Sequence, residues 1–425
     1  MNKTAYPNLG EQVYEGRTAS GLLVRVVPKP GFAKIYGFLA VDYGSMDTTF
    51  WKDDVKMVTP QGVAHYLEHK MFDMPSGSAM QDFSRYGGNP NAFTSYDITA
   101  YYVECTEHVE ENLKILLDFV NTPYFTPESV EKERGIIAQE IRMYEDSADS
   151  RVYEALFAAA FAQHPVRNAI AGTVESIGAI TDKTLYDCYN TFYVPDHEML
   201  CVVGDVDPEA IFRLADSMTP ARSGGEVRRD YGAPEAITPL KKKVEMAMEV
   251  SMPTFALGFK TEPAAFGRDS MLQEVIGELA AECLMGESSP LYTRLYQENL
   301  IDSDFSCGYE GVKGMSLLTA SGDSNDPEAV YAAILEEAKR LAREGISEAL
   351  FHQLKRSALG RRIRGLDSFE SICYRMCAYH FEGVSYFSFP EIFREVTLPQ
   401  VEAFLRRTVQ EERSSLSIIR PLGEH

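Results

Sequence analysis

The sequence predicts an α+β fold of two homologous α/β-sandwich-like domains, each a mainly antiparallel sheet with helices packed on it. First, 425 residues exceed what one hydrophobic core usually takes up. Second, a segment from about 219 to 239 is rich in glycine, proline and charge, and it divides the chain into nearly equal halves. Third, strand-like and helix-like stretches follow in the same order in both halves. We therefore predict domains at 1–220 and 240–425, joined by a linker at 221–239.

The first half carries alternating signals for strands and helices. Alternating or continuous apolar runs predict strands at 21–30, 35–44, 98–105 and 199–207. Helical periodicity and stop signals predict helices at 62–72, 77–87, 107–120 and 125–144. Thr126 is placed to cap the last of these helices, and Pro127 suits its first turn.

The second half repeats the pair of helices that ends this pattern. The amphipathic stretch DPEAVYAAILEEAKRLAREG (326–345) precedes a helix at 346–364, as the helix at 107–120 precedes that at 125–144. The residues agree only faintly, but the order and the lengths agree well. Duplication of one α+β unit explains this better than the chance joining of two unrelated α+β domains.

Charge and composition narrow the functional classes. The formal net charge of −22 argues against nucleic acid as a partner, because phosphate binding needs a basic surface. The acidity serves either solubility or an acidic cavity for basic peptides. The chain has no apolar run of about 18 residues, so we expect no membrane-spanning segment.

The cysteines and the N-terminal residues indicate a cellular compartment. Seven cysteines are scattered along the chain, and no C-x-x-C pair occurs. This odd number at irregular spacing argues against a disulfide framework or a structural zinc site and favours reduced thiols. The N-terminal residues contain no apolar leader segment, so we expect a cytoplasmic protein.

The segment HYLEH (65–69) is the most direct indication of a functional site in the sequence. On a helix, residues i and i+4 share a face, so His65 and His69 present two imidazoles to one point. Neutral imidazole is a good zinc ligand. Glu68 flanks the same point and is placed to take a proton from a metal-bound water, as in the His-x-x-Glu-His inverzincin motif. The alternative is two surface histidines on an amphipathic helix, so the motif needs supporting context.

A third ligand is available on the helix predicted at about 126–146. A catalytic zinc needs three protein ligands and an open position for water. Glu133 and Glu140 are seven residues apart and therefore lie on one face of this helix. Its apolar residues, such as Ile137 and Ile141, indicate that the helix packs inward. Acidic residues on helices are usually just solvated, and position alone does not choose between these two glutamates.

Three segments, in this order, resemble the pitrilysin/insulinase-like zinc peptidases. They are GVAHYLEHKMF (62–72), GGNPNAFTSYDITAYYVEC (87–105) and FTPESVEKERGIIAQEI (125–141). The chain is most similar to the short-chain branch that includes mitochondrial processing peptidase and bacterial zinc-dependent processing peptidases. The resemblance extends over nearly the whole chain.

This resemblance implies roles for individual residues. Carried over by position, it makes His65, His69 and Glu140 the ligands of one Zn²⁺ per chain. It makes Glu68 the general base and Glu133 an acid that helps to hold a ligand histidine. In such a site zinc polarises the scissile carbonyl and lowers the pKa of its bound water, and Glu68 passes the water's proton to the leaving amine.

The same resemblance implies how substrate binds. It predicts a substrate-facing edge strand that contains Asn91, Ala92, Phe93 and Thr94. An extended peptide would add to this edge as a further strand, hydrogen-bonded through its main chain. The implied function is a zinc metalloendopeptidase that hydrolyses short or unstructured peptides inside an enclosed chamber.

The second half departs from the metal-binding pattern. Alignment of the halves places Leu279 at the position of His65, Glu282 at that of Glu68, Cys283 at that of His69, Lys355 at that of Glu133 and Arg362 at that of Glu140. Cations do not ligate zinc, so we expect the C-terminal half to be metal-free and to form the facing wall of the chamber.

A further departure predicts a partner chain. Active relatives usually carry an Arg and a Tyr seven residues apart after a stretch like RLYQE. Here Phe305 takes the Tyr position and Glu298 the Arg position, while Arg294 and Tyr309 have the wrong spacing. The resemblance therefore implies that this chain is the catalytic subunit of a two-chain assembly. A second homologous chain in a heterodimer is favoured over a homodimer.

Two other functions are compatible with a zinc site in this chain. A zinc-binding but catalytically silent scaffold or assembly subunit belongs to a different class, and some family members serve in this way. Such members have typically lost ligands, whereas the three implied ligands and Glu68 are all present here. A purely structural zinc fits less well, because structural sites are usually four-coordinate and rich in cysteine.

Overall fold

The structure is a computed structural model that describes residues 1–423, and it contains two main β-sheets with helices packed on them. Most neighbouring strands in these sheets are antiparallel. The predicted α+β class, with two similar domains, is therefore confirmed.

The first sheet has seven strands. The strands of the first half are β1 (Asn2–Tyr6), β2 (Glu11–Arg17), β3 (Leu23–Pro28), β4 (Ile35–Val41), β5 (Thr49–Lys52), β6 (Val55–Val58), β7 (Asp73–Met74), β8 (Gly77–Ser78), β9 (Asn89–Thr94), β10 (Thr99–Cys105) and β11 (Glu198–Gly204). The order across the sheet is β1-β2-β3-β11-β4-β10-β9. β3 and β11 run parallel, and β4 and β11 are buried along their whole length. β9 forms one edge of the sheet.

The first four helices of the first half correspond to the four predicted ones, and the other four were not predicted from the sequence. They are α1 (Val63–Met71), α2 (Ala79–Arg85), α3 (Val109–Asn121), α4 (Pro127–Glu145), α5 (Ala148–Ala160), α6 (Val174–Gly178), α7 (Asp182–Phe192) and α8 (Pro208–Met218). Thr126 caps α4 as predicted, in a reciprocal capping box with Ser129. α3 buries its apolar face, including Leu113, Leu116 and Leu117, as its periodicity requires.

The segment predicted as the linker is fixed to the first half. It contains strand β12 (Val227–Arg229), which pairs with β5, and β6 completes a three-stranded sheet. Strands β5 and β6 form an antiparallel hairpin, in which Trp51 lies opposite Lys56. Arg229 forms an ion pair of 2.9 Å with Asp42, at the end of β4. The domain boundaries themselves stay a prediction.

The second half repeats the arrangement of the first. Its strands are β13 (Lys243–Met248), β14 (Thr254–Lys260), β15 (Ser306–Val312), β16 (Met315–Asp323) and β17 (Ser414–Pro421), in the order β13-β17-β14-β16-β15. Its helices are α9 (Arg268–Met285), α10 (Pro290–Gln297), α11 (Pro327–Glu344), α12 (Glu348–Arg364), α13 (Phe369–Phe381), α14 (Phe389–Glu395) and α15 (Leu398–Thr408).

The two sheets match strand by strand. The order β3-β11-β4-β10-β9 in the first corresponds to β13-β17-β14-β16-β15 in the second. The parallel pair occupies the same position in each, β3 with β11 and β13 with β17. The helices between equivalent strands also correspond, so α1 and α4 have their counterparts in α9 and α12. This agreement supports duplication of one unit.

The halves exchange helices across their junction. α5 of the first half packs on β14 and β17, and α13 of the second half packs on β4 and β11. One hydrophobic core therefore includes side chains of both halves, such as Phe38, Met199 and Met376. Burial of apolar surface across this junction holds the two units together. Within residues 1–423, no helix is both long and apolar enough to cross a membrane.

Candidate metal centre

Helix α1 presents the two histidines of the motif. Its buried residues, among them Ala64 and Leu67, pack it into the first core, and His65 is itself only 7% exposed. The imidazole rings of His65 and His69 lie side by side, with centroids 4.7 Å apart. The i, i+4 spacing therefore places both rings on one face, as predicted.

The start of α1 is fixed by a glycine. Gly62 has φ of 86°, a left-handed conformation that glycine adopts without strain. A Cβ atom at this position would lie 2.4 Å from the carbonyl oxygen of Ala171. Glycine is thus required both by the backbone conformation and by the close approach of the loop at 169–173. This loop lines a cavity together with His65 and His69.

Helix α4 is tied directly to α1. The buried Tyr66 of α1 donates a hydrogen bond from its hydroxyl group to the backbone carbonyl of Val130 in α4. Ile137 and Ile141 bury the inner face of α4 in the same core as α1. This packing turns the side of α4 that carries Glu133 and Glu140 toward the histidines.

Glu140 completes a set of three converging side chains. Its Oε1 lies 3.5 Å from Nε2 of His65, and its Oε2 lies 3.2 Å from Nε2 of His69. One possible ligand atom from each residue lies within 4.8 Å of the others, and in residues 1–423 this is the one such group of three. Two imidazole nitrogens and one carboxylate oxygen match the protein ligands of catalytic zinc sites, so the residues fit zinc.

Neighbouring side chains hold members of this group in place. Oε1 of Glu133 lies 3.0 Å from Nδ1 of His69, which leaves Nε2 of that ring facing Glu140. Such a hydrogen bond fixes the orientation and tautomer of a ligand histidine. The hydroxyl group of Thr94 donates to Oε2 of Glu68 at 2.8 Å. The predicted general base is therefore linked to the predicted substrate strand.

Sequence reasoning did not single out Tyr144. Its hydroxyl group donates a hydrogen bond of 2.8 Å to Oε1 of Glu140, one turn earlier on α4. Burial raises the pKa of Tyr144 to about 12, and the neighbouring Glu140 adds to this effect. The signal in the sequence was the i, i+4 spacing of a hydrogen-bond donor after a candidate ligand.

The charges of the site favour a basic Glu68 and an ionised Glu140. Hydrogen bonds from His65 and His69 hold the pKa of Glu140 well below its usual range. Burial works to lower the pKa of His69, but hydrogen bonds with Glu133 and Glu140 outweigh it and raise the pKa to about 10. Burial raises the pKa of Glu68 although the adjacent histidines oppose this. A carboxylate with a raised pKa is a stronger base.

The site opens into a cavity of about 620 Å³. Glu68 and the three converging side chains lie in its wall, and so do Asn91, Ala92, Phe93 and Thr94. The last four residues belong to β9, which pairs with β10 on one side and is the edge strand of the sheet. The predicted edge strand is thus brought beside the predicted metal ligands.

The equivalent place in the second half holds an ion-pair network. Arg362 of α12 lies 2.8 Å from Glu274 and 2.9 Å from Glu278, both on α9. Leu279 and Cys283, which align with the histidines, are buried apolar residues of the core. A guanidinium group therefore links the two helices that a metal would link in the first half.

Other residues of the second half are occupied in structural contacts. Lys355 donates to backbone carbonyl groups near the end of α14, and Glu282 forms an ion pair with Arg361. Phe305 is 6% exposed and belongs to the core. The hydroxyl group of Tyr309 accepts a hydrogen bond of 2.9 Å from Gln273. These contacts leave Phe305 and Tyr309 with packing roles.

Comparison with known proteins identifies the family. Residues 54–174 match insulinase (peptidase family M16), and residues 179–358 match the peptidase M16 inactive domain. The uncharacterized zinc protease YmfH of Bacillus subtilis (strain 168) is 37% identical over 98% of each chain. The uncharacterized zinc protease YmxG of the same bacterium is 25% identical, over 86% of this chain and 90% of its own. The crystal structure of an M16-like peptidase from Alicyclobacillus acidocaldarius matches with a TM-score of 0.94 at 31% identity, over 98% of this chain and 99% of its own. The chain belongs to the insulinase (M16) family of zinc metallopeptidases, as its three motifs predicted.

Proposed function

We propose that this chain is a zinc metalloendopeptidase that hydrolyses peptide bonds in short or unstructured peptides. One observation carries the proposal: ligand atoms of His65, His69 and Glu140 converge beside the buried carboxylate of Glu68, in a cavity bordered by the edge strand β9. Peptide hydrolysis at a zinc centre uses a metal site and a base, and the edge of a sheet is one known way to hold an extended peptide beside them.

In this proposal Glu68 moves the proton. A zinc ion held by the two histidines and Glu140 supplies a Lewis acid that lowers the pKa of water and polarises a carbonyl group. Thr94 occupies Oε2 of Glu68, so we assign Oε1 to take the proton of the attacking water and to deliver it to the leaving amine. Glu133 keeps His69 in orientation through its hydrogen bond to Nδ1.

The edge strand β9 positions the substrate. An extended peptide pairs with its main chain, and the scissile bond then lies against the wall that holds Glu68. Because main-chain hydrogen bonds are the same for any sequence, this mode selects for extended chains and leaves only the side-chain contacts of the cavity to discriminate. Short or unstructured peptides are the expected substrates.

A second homologous chain completes the chamber in this proposal. At the two positions where active relatives carry an Arg and a Tyr, this chain has Glu298 and Phe305, and Phe305 is buried in the core. In a heterodimer, the partner chain supplies the wall of the chamber that lies opposite the metal centre. A homodimer is the second choice. This chain is then the catalytic subunit.

The cysteines support a reducing compartment. All seven are free thiols, and six are buried. Proteins of the cytoplasm keep their thiols reduced, so we assign this chain to the cytoplasm. Detection of the protein in soluble cytoplasmic or in exported fractions of cells tests the assignment.

The rival function is a zinc-binding scaffold without catalysis. It requires the three ligands but not a base in place. The hydrogen bond from Thr94 to Glu68 favours catalysis, since it fixes a carboxylate that a scaffold would not need. A comparison of zinc content with activity separates the two functions.

The test uses the purified chain with its zinc content measured. Cleavage of a panel of unstructured peptides is followed for the wild type and for Glu68→Gln, which keeps the size of the side chain and loses the base. We expect equal zinc content and at least a hundredfold lower rate for the variant, in line with the usual contribution of a general base. Equal rates would refute the role of Glu68.

The oligomeric state is measured in the same experiment. If the zinc-loaded chain cleaves peptides without any partner, the proposed heterodimer is wrong and a homodimer or monomer suffices. If it binds zinc but cleaves only after a second homologous chain is added, the two-chain proposal stands. Zinc bound with no cleavage under either condition favours the scaffold.

A further inference from the structure

Two side chains of α4 form hydrogen bonds with predicted metal ligands. Glu133 bonds to Nδ1 of His69, and Tyr144 bonds to Oε1 of Glu140. Each of these supports lies on α4, where Glu133 precedes Glu140 by two turns and Tyr144 follows it by one. The carboxylate of Glu140 is thus bonded to its own helix on one side and faces the two imidazoles on the other.

We propose that Tyr144 is a positioning residue that holds the carboxylate of Glu140 in the orientation for metal binding; this inference rests on the proposed zinc site. A glutamate side chain has three rotatable bonds, and ordering it costs conformational entropy when a metal binds. A hydrogen bond from Tyr144 that exists beforehand removes part of this cost. Supporting hydrogen bonds of this kind typically change metal affinity by about 10- to 100-fold.

The hydroxyl group of Tyr144 has little other structural use. The side chain lies in the wall of the cavity, and the residue is 37% exposed, so removal of one oxygen atom leaves no buried void. The hydrogen bond to Glu140 is 2.8 Å long and spans one helical turn. Replacement by phenylalanine should therefore change the freedom of Glu140 and leave the packing of α4 intact.

Tyr153 provides a matched control. It lines the same cavity, but the hydrogen-bond partner of its hydroxyl group is Oγ of Ser321, at 2.7 Å, and not Glu140. Tyr153→Phe removes the same atom from the same wall. A loss of affinity that is confined to Tyr144→Phe cannot be explained by a general change in the cavity.

The experiment measures zinc affinity rather than activity. Zinc is titrated into the metal-free chain in competition with a chromophoric chelator, for the wild type, Tyr144→Phe and Tyr153→Phe. We expect Kd to rise about tenfold for Tyr144→Phe and to stay unchanged for Tyr153→Phe. Equal Kd values for the wild type and Tyr144→Phe would overturn the inference while the proposed zinc site stands. A wild type that binds no zinc would overturn both.

A double variant tests whether Tyr144 acts through Glu140. Interactions of contacting residues appear as non-additive effects in such a cycle. We expect Glu140→Ala to weaken zinc binding strongly, and Tyr144→Phe to add nothing further in that background. If Tyr144→Phe still lowers the affinity about tenfold there, the hydroxyl group acts at another atom and the inference is wrong.

Discussion

Glu235 fixes the segment between the two halves through a single carboxylate group. Its Oε1 accepts hydrogen bonds from the backbone N–H groups of Gln163 and His164, at 2.6 and 2.7 Å, and its Oε2 accepts one from Ala162 at 3.1 Å. The buried Lys260, at the end of β14, lies 3.3 Å from the same carboxylate. Three contacts thus reach the first half and one reaches the second. Glu235→Gln keeps the size of the side chain but removes its charge.

The expected loss of stability follows from the pKa. Burial works to raise the pKa of Glu235, but the three backbone hydrogen bonds and Lys260 lower it to about 2. Relative to the usual value of 4.5, this corresponds to about 3 kcal/mol of folding free energy at neutral pH. The carboxylate is partly exposed, and solvent screening reduces the figure to about 2 kcal/mol.

The pH dependence follows from the sign of the shift. Because the pKa in the folded state lies below that in the unfolded state, the stabilisation is present above pH 4.5 and is lost as the pH falls toward 2. Denaturant unfolding of the wild type and Glu235→Gln should therefore differ by about 2 kcal/mol at pH 7 and by less than half of that near pH 3.

The control is Glu226→Gln, which changes an exposed glutamate of the same segment. We expect it to change the free energy of unfolding by less than about 0.5 kcal/mol. If Glu235→Gln is as stable as the wild type at pH 7, the carboxylate does not fix the segment. A loss that is the same at pH 7 and pH 3 would show that shape matters here and charge does not.

Two further predictions concern the candidate site, and a third concerns a buried glutamate at the start of β11. Glu133→Gln should weaken zinc binding about tenfold, because His69 loses the charged partner that orients its ring. Thr94→Val should lower kcat about tenfold, since Glu68 loses a hydrogen bond to its charged form, while Thr94→Ser should restore most of the rate. Burial raises the pKa of Glu198 from 4.5 to about 7. Because the pKa of Glu198 is higher in the folded state than in the unfolded state, the chain loses stability as the pH rises from 4.5 through 7. Glu198→Gln should therefore raise the free energy of unfolding at pH 8 by about 2 kcal/mol.

Each of these predictions has a contradicting outcome. Unchanged zinc affinity in Glu133→Gln, measured by chelator competition, would remove its role in orienting His69. A Thr94→Ser variant as slow as Thr94→Val would mean that the hydroxyl group of residue 94 does not by itself support Glu68, and the predicted role of this hydrogen bond would be wrong. If Glu198→Gln raises the free energy of unfolding by the same amount at pH 5 and pH 8, the buried carboxyl group is not the source of the pH dependence.

Much of the fold could be predicted from the sequence because its signals are local. The apolar run of β4, the periodicity of α3 and the Thr126 cap depend on residues within a few positions of one another. The spacing of His65 and His69 is of the same kind, since helical geometry alone places them on one face. The repeat of element order in the second half followed from the same local signals.

The contacts between distant elements could not be predicted in this way. No period in the sequence indicates that α5 packs on the second sheet and α13 on the first, or that Arg362 links α12 to α9. These contacts depend on how two twisted sheets and their helices pack, which is decided by the summed burial of both halves.

The sequence by itself determined the class, the duplication, the histidine pair and the family of this protein, because each rests on short-range order along the chain. Only the tertiary structure decided that Glu140 meets the two histidines, that β9 borders their cavity and that Tyr144 bonds to Glu140. The physical reason is that a helix fixes which side chains share a face, whereas the packing of α1 against α4 fixes what that face meets.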